Sequence, residues 1–107
     1  MKRGDLVTIA LAGDFGKPRP ALVIQSNQFD QTATVTVLLL SSKLVDAPLM
    51  RLTIEPTTEN NLKAPSQVQV DKAMTVKRDK LGDVFGALDG DSMLAVTRLL
   101  AVFMGIV

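Results

Sequence analysis

Lys17-Pro18-Arg19-Pro20-Ala21-Leu22-Val23-Ile24-Gln25-Ser26 sets two prolines around one arginine and follows them at once with an apolar run. Proline fixes its own φ and pushes the residue before it toward extended backbone. Lys17 and Arg19 each precede a proline, so both are expected on stiff, extended chain. Leu22, Val23 and Ile24 are strand formers and fit a buried position within a sheet. The stretch therefore aims a permanently charged guanidinium from the mouth of a buried strand, with little freedom to move. That arrangement suits recognition of a phosphate, although an ordinary surface arginine at a strand start reads the same way.

The rest of the chain bounds what such an arginine can serve. At 107 residues, one domain spanning 1–107 is expected, with a single modest core. The composition, 47% hydrophobic and 21% charged with a formal net charge of +1, is that of a globular protein. Bulk charge does not announce a polyanion binder, so any such site has to come from local clustering. There is no cysteine and no histidine. This removes disulfides, thiol nucleophiles, zinc sites of the usual ligand types and every mechanism with a histidine base. Absence of cysteine and of a visible signal peptide fits a cytoplasmic protein. The apolar run 93–107 is broken by Thr97 and Arg98 and is too short and too polar for a membrane span.

Alternation and punctuation divide the chain into short elements. Strands are expected over 6–11, 21–25, 33–40 and 49–54, with a two-glycine loop over 12–17 and a polar turn over 26–32. The proline-containing stretch 55–65 reads as a surface loop long enough to be mobile. In 66–70, Gln67 and Gln69 alternate with Val68 and Val70, the pattern of a half-buried strand. Asp71-Lys72 interrupts it before a further short strand over 73–76. Lys77 to Lys80 is a charged turn and 82–88 a mixed connector. Asp89 or Asp91 caps a helix running to about Met104. That helix is apolar nearly all round and needs cover on two sides, one from its own sheet and the other from a second subunit or deeper burial. The whole reads as α+β, mainly β: a small, strongly bent antiparallel sheet or partial barrel closed by one C-terminal helix.

Three sets of groups remain for chemistry: Arg19 after the glycine loop, Ser41-Ser42 at the end of the third strand, and Asp71-Lys72 at the break in the fifth. Each stands at a strand end or break, where side chains can converge on one rim of a sheet. RNA cleavage needs neutralisation of a phosphorane-like charge, positioning of a 2′-hydroxyl and movement of two protons. An arginine, a hydroxyl and a carboxylate supply these without a metal. Singly, each feature also reads blandly: Ser41-Ser42 as a plain turn, Asp71-Lys72 as a solvated pair. The sequence holds no Walker loop, dinucleotide fingerprint or G-x-S-x-G elbow.

The opening Arg3-Gly4-Asp5-Leu6-Val7, followed by Lys17-Pro18-Arg19-Pro20-Ala21 and its apolar run, resembles the MazF/PemK toxin family. Val37 to Ser42 resembles the family's strand ending in a Thr/Ser pair. Ser66 to Val76, with Asp71, resembles its later S-x-V-x-x-D strand, and 89–105 its C-terminal helix. The resemblance implies an SH3-like barrel with a C-terminal helix, working as a homodimer. It implies a sequence-specific endoribonuclease that needs neither metal nor cofactor, leaves a 2′,3′-cyclic phosphate and a 5′-hydroxyl, halts translation and is inhibited by an antitoxin. By position, Arg19, Ser41 and Asp71 are then the catalytic residues. Phe15, Lys17, Ser42, Lys43, Gln69 and Lys72 are the expected RNA-binding residues around them.

The chain departs from the family pattern in three places. The loop 12–17 is shorter and less polar, position 41 is serine rather than threonine, and Gln69 stands where some members carry arginine. CcdB-type gyrase poisons share the fold and do no chemistry. Phe103-Met104-Gly105-Ile106 resembles their terminus, whereas the Arg-Pro motif resembles the ribonucleases.

Overall fold

The computed structural model describes residues 1–11 and 17–107. Six strands form one antiparallel sheet: β1 (Asp5–Ala10), β2 (Pro18–Val23), β3 (Thr34–Ser41), β4 (Arg51–Ile54), β5 (Ser66–Lys77) and β6 (Leu81–Ala87), followed by helix α1 (Gly90–Phe103). The spatial order is β4-β5-β3-β2-β1-β6. In a flat sheet β5 and β6 would lie four strand spacings apart, about 19 Å. Yet only the 3-10 turn Arg78–Lys80 separates them in sequence. So short a link forces the sheet to curl, which is the bent, partly closed arrangement expected from the sequence.

Strand alternation builds a core on each face. Leu6, Leu22, Leu38, Leu40, Val68 and Val70 point to one side, where Val96 of α1 and its neighbours Met93, Leu99 and Leu100 pack. Val7, Ile9, Ala21, Val23, Val35, Val37 and Leu39 point to the other, inside the curl, with Met74, Val76 and Leu81 against them. The apolar doublets of β2 and β3 are thus explained by burial on both faces.

Several boundaries differ from the sequence reading. β2 begins at Pro18, because both prolines sit opposite β1 within the ladder, Pro18 across from Ala10 and Pro20 across from Thr8. Asp71-Lys72 does not interrupt a strand. β5 runs unbroken from Ser66 to Lys77, and what changes there is its partner register. Residues 82–88 are not a connector: β6 pairs with β1 along most of its length. Gly86 lets the 55–65 loop lie against this strand, since a Cβ there would lie 2.4 Å from the Asn60 carbonyl oxygen.

The 55–65 loop is tied down rather than loose. Asn60 is buried and its carboxamide oxygen accepts from the Thr57 and Leu62 amides while its Nδ2 donates to the Glu55 carbonyl. Asn61, at φ 53°, donates through Nδ2 to the Phe85 carbonyl.

α1 is capped as expected, the Asp89 carboxylate accepting from the Ser92 amide at 3.1 Å. Hydrogen bonds from the Ser92 side chain, then from its backbone, hold the Asp89 carboxyl below the usual carboxylate range. The helix is not deeply buried. Val96 alone is fully enclosed, and Leu94, Val102, Phe103 and Met104 are exposed. Among the described residues no helix is long and apolar enough to cross a membrane.

Candidate active site

Pairing rather than sequence proximity assembles the site. Ala21 of β2 stands opposite Leu39 of β3. Continued by two residues, that antiparallel register sets Arg19 across from Ser41. Arg19 is also the cross-strand partner of Ile9, whose side chain belongs to the core inside the curl. Arg19 and Ser41 therefore occupy the upper rim of that face, away from the helix. Both are half-buried. The prolines on either side of Arg19 supply the stiffness that the sequence implies.

Ser41 is the last residue of β3, and its Oγ accepts from the Lys43 amide at 3.1 Å. The hydroxyl proton is not used in that bond and can donate to an incoming anion. Ser41 pairs with Gln67 of β5, and Gln67 pairs in turn with Thr53 of β4.

Gln67 is buried, against the expectation that it would face solvent. Its Nε2 donates to the Val45 carbonyl and to Thr53 Oγ1, and its Oε1 accepts from the Val45 amide, at 3.0, 3.1 and 3.0 Å. This one amide fastens the segment after Ser41 to the sheet and steadies the hydroxyl. A glutamine in an alternating strand normally faces water. Nothing in the local pattern shows that the 42–50 segment folds over it.

Asp71 sits where β5 parts from β3. Leu38 pairs with Ala73 and Leu40 with Val68, so four residues of β5, 69–72, bulge against Leu39 alone. A bulge of this kind bends the strand and re-aims its side chains. Gln69 and Asp71 share the face that carries Ser41. The carboxylate of Asp71 does not pair with Lys72, which is exposed. Its Oδ1 accepts from Arg51 Nη1, and the two side chains are 19% and 13% exposed. Arg51 lies directly across from Gln69. Sequence reasoning missed Arg51. The one signal was the alternation of Arg51 and Thr53 with Leu52 and Ile54, which puts the arginine on the polar face.

The expected RNA-binding residues divide. Lys17 and Lys43 are exposed beside Arg19 and Ser41, and Gln69 is half-buried between Ser41 and Arg51. Ser42 points to the opposite face, where with Pro18, Pro20, Lys63 and Phe85 it lines an open groove of about 750 Å³. Lys72 is exposed at the bulge. Phe15 lies outside the described residues.

Arg19 and Ser41 at one rim, with the Asp71–Arg51 pair further along the same sheet face, suit an anionic substrate. Comparison with known proteins shows the family. Residues 2–104 match the family model for the PemK-like, MazF-like toxin of type II toxin–antitoxin systems. The chain is 45% identical over 107 residues to a Mycolicibacterium smegmatis protein named "Probable endoribonuclease MazF", covering 99% of this chain and 98% of that one. Its fold is similar to that of a mycobacterial endoribonuclease solved in complex with its cognate antitoxin, with a TM-score of 0.85, 22% identity, and 100% and 97% of the two chains covered. It is also similar to the Mycobacterium tuberculosis toxin MazF-mt6, with a TM-score of 0.81, 20% identity, and 94% and 96% covered. By the match along nearly its whole length, the chain belongs to the PemK/MazF-like toxin family of type II toxin–antitoxin systems.

Proposed function

We propose that the protein is the toxin of a toxin–antitoxin pair and acts in the cytoplasm as a metal-independent, sequence-specific endoribonuclease that cuts single-stranded mRNA and arrests translation. The observation that carries this reading is the 45% identity, over essentially both full lengths, to a relative named as an endoribonuclease. The geometry supports it. The scissile phosphate binds between Arg19 and Ser41, whose positions are opposite when the Ala21–Leu39 register is continued by two residues. Arg19 offers a planar fork to the phosphate oxygens, and Ser41 donates its O–H. As the 2′-oxygen attacks phosphorus, negative charge grows on those oxygens, and donors already in place stabilise it without reorganisation. The bond to the 5′-oxygen breaks and the leaving oxygen takes a proton from solvent water, giving a 2′,3′-cyclic phosphate and a 5′-hydroxyl.

Asp71 orients the 2′-hydroxyl and takes its proton. Among the described residues its Oδ2 has no protein partner, because Arg51 engages Oδ1. Lys17, Lys43, Gln69 and Lys72 hold the flanking RNA.

The partners follow from the same reading. The mycobacterial structural neighbour was solved with a cognate antitoxin, and an antitoxin is the expected inhibitor here. The exposed apolar residues of α1 are cover for a second copy of the chain, giving a homodimer. The gyrase-poison alternative has only the Phe103–Ile106 tail in its favour, and the relatives reported above are ribonucleases and toxins of the MazF type.

Purified protein incubated with RNA in excess chelator should fragment it, and should leave gyrase without trapped cleavage complexes in a parallel assay. Intact RNA together with trapped gyrase complexes would replace this reading with the other.

A further inference from the structure

The Arg51 side chain is 13% exposed, so most of its length is withdrawn from water. Toward the described residues it uses Nη1 alone, which donates to Asp71 Oδ1 and, at 3.3 Å, to the Met50 carbonyl. The N–H groups on Nε and Nη2 have no partner among the described residues. A guanidinium carries five donors in a fixed fork, and burying some of them unpaired is unfavourable unless a ligand completes them. Nε and Nη2 form one edge of that fork, the edge whose two parallel N–H bonds match two oxygens of a phosphate. Asp71 meanwhile fixes the rotamer, so the edge is presented without loss of side-chain freedom on binding.

Position selects the ligand. Arg51 is across from Gln69, and the next pairs along, Gln67 with Thr53 and Gln67 with Ser41, put Arg51 and Ser41 on one face. Two strand spacings separate Arg51 on β4 from β3, about 10 Å. That is too far for the phosphate held by Arg19 and Ser41 and right for another phosphate of the same strand. We propose that Arg51 binds, through Nε and Nη2, an RNA phosphodiester neighbouring the scissile one, with Asp71 as its positioning residue. The site is then a track with a cation at each end: Arg19 at the reacting phosphate and Arg51 at the flanking one. This rests on the RNA reading given above.

A pool of short 2′-O-methyl RNAs tests the contact without cleavage, because their 2′-oxygens cannot attack. Affinity is measured against salt concentration for the wild type, Arg51→Gln, and the double variant Arg51→Gln/Asp71→Asn, whose neutral amide pair avoids an unpaired buried carboxylate. Loss of one phosphate contact should flatten the slope of log K against log salt by about 0.7 in both variants. With cleavable RNA, Arg51→Lys, which keeps a cation beside Asp71 but not the two-donor edge, should raise KM about tenfold with kcat changed far less, as for uniform substrate binding. An unchanged slope and KM in a wild type that cuts RNA would overturn this proposal and leave the ribonuclease reading standing. A flattened slope in a protein that binds but never cuts would support the proposal and remove the ribonuclease reading. An unchanged slope with weakened self-association in sedimentation would overturn it by assigning the donors to a second copy. A wild type that binds no RNA would overturn both.

Discussion

Arg19 is where the sequence carries most information. The residues around it dictate its backbone, and its charge dictates its partner. If its planar fork stabilises the transition state, Arg19→Lys will not substitute, and cleavage should fall on the order of 10²-fold or more with folding intact. Single-turnover rates beside circular dichroism check both halves of that statement. Ser41→Ala should slow cleavage without moving its pH dependence. Ser41→Thr should stay active, since it keeps the hydroxyl and adds the β-branch that restricts its rotamer. Asp71→Asn should slow cleavage and flatten the acid limb of the rate–pH profile, because the proton acceptor is lost. A normal rate with a normal profile would reduce Asp71 to a support for Arg51. The three candidate residues were legible as candidates because each carries a group type that the chemistry needs, Arg19 and Ser41 at strand ends and Asp71 at an expected break that is a bulge within the unbroken β5. Arg51 was not. Its meaning lies in standing across from Gln69 and beside Asp71, and both relations exist only once β4 has paired with β5.

At the scale of elements, the apolar runs of β2 and β3 and the cap of α1 declared themselves. The strands that did not were those whose local preference is overridden by pairing. β6 contains Gly82, Asp83 and Gly86, all poor strand formers, yet it covers the edge of β1. Its Gly86 exists to let the 55–65 loop close over it. That loop reads as a surface loop from its polarity and as long enough to be mobile, whereas Asn60 turns part of the polarity inward. Asn60→Ala should lower unfolding free energy by about 2 kcal/mol in urea titrations, because buried backbone groups lose their partners. Gly86→Ala should also destabilise, since backbone rather than a flexible side chain stands in the way.

The helix cap gives a pH signature. The folded carboxyl of Asp89 lies below its ordinary value of 3.8, so its contribution is present above that value and is lost as pH falls through the folded one. Asp89→Ala should therefore lower the melting temperature at neutral pH, with the gap to wild type closing in acid.

For the whole molecule, the class was readable from many short alternating segments closed by one amphipathic helix, and the strand order was not. Joining β5 to its neighbour β3 rather than to β6 is a long-range choice that no local pattern encodes. The helix was expected to need two covers, and the structure supplies one. Leu94, Val102 and Phe103 remain exposed at 49%, 55% and 47%. Sedimentation at micromolar concentration should show a dimer, and Val102→Glu with Phe103→Glu should release monomer that stays folded. Only monomer in the wild type would remove the second subunit from the account. The central claim is that the face shared by Arg19, Ser41 and Asp71 directs a 2′-oxygen attack on RNA, and the ends of the products report it most directly. RNA cut by the wild type in excess chelator should carry 2′,3′-cyclic phosphate and 5′-hydroxyl termini, and Arg19→Lys should yield almost none. Products with 3′-hydroxyl and 5′-phosphate ends, or full cleavage by Arg19→Lys, would contradict it.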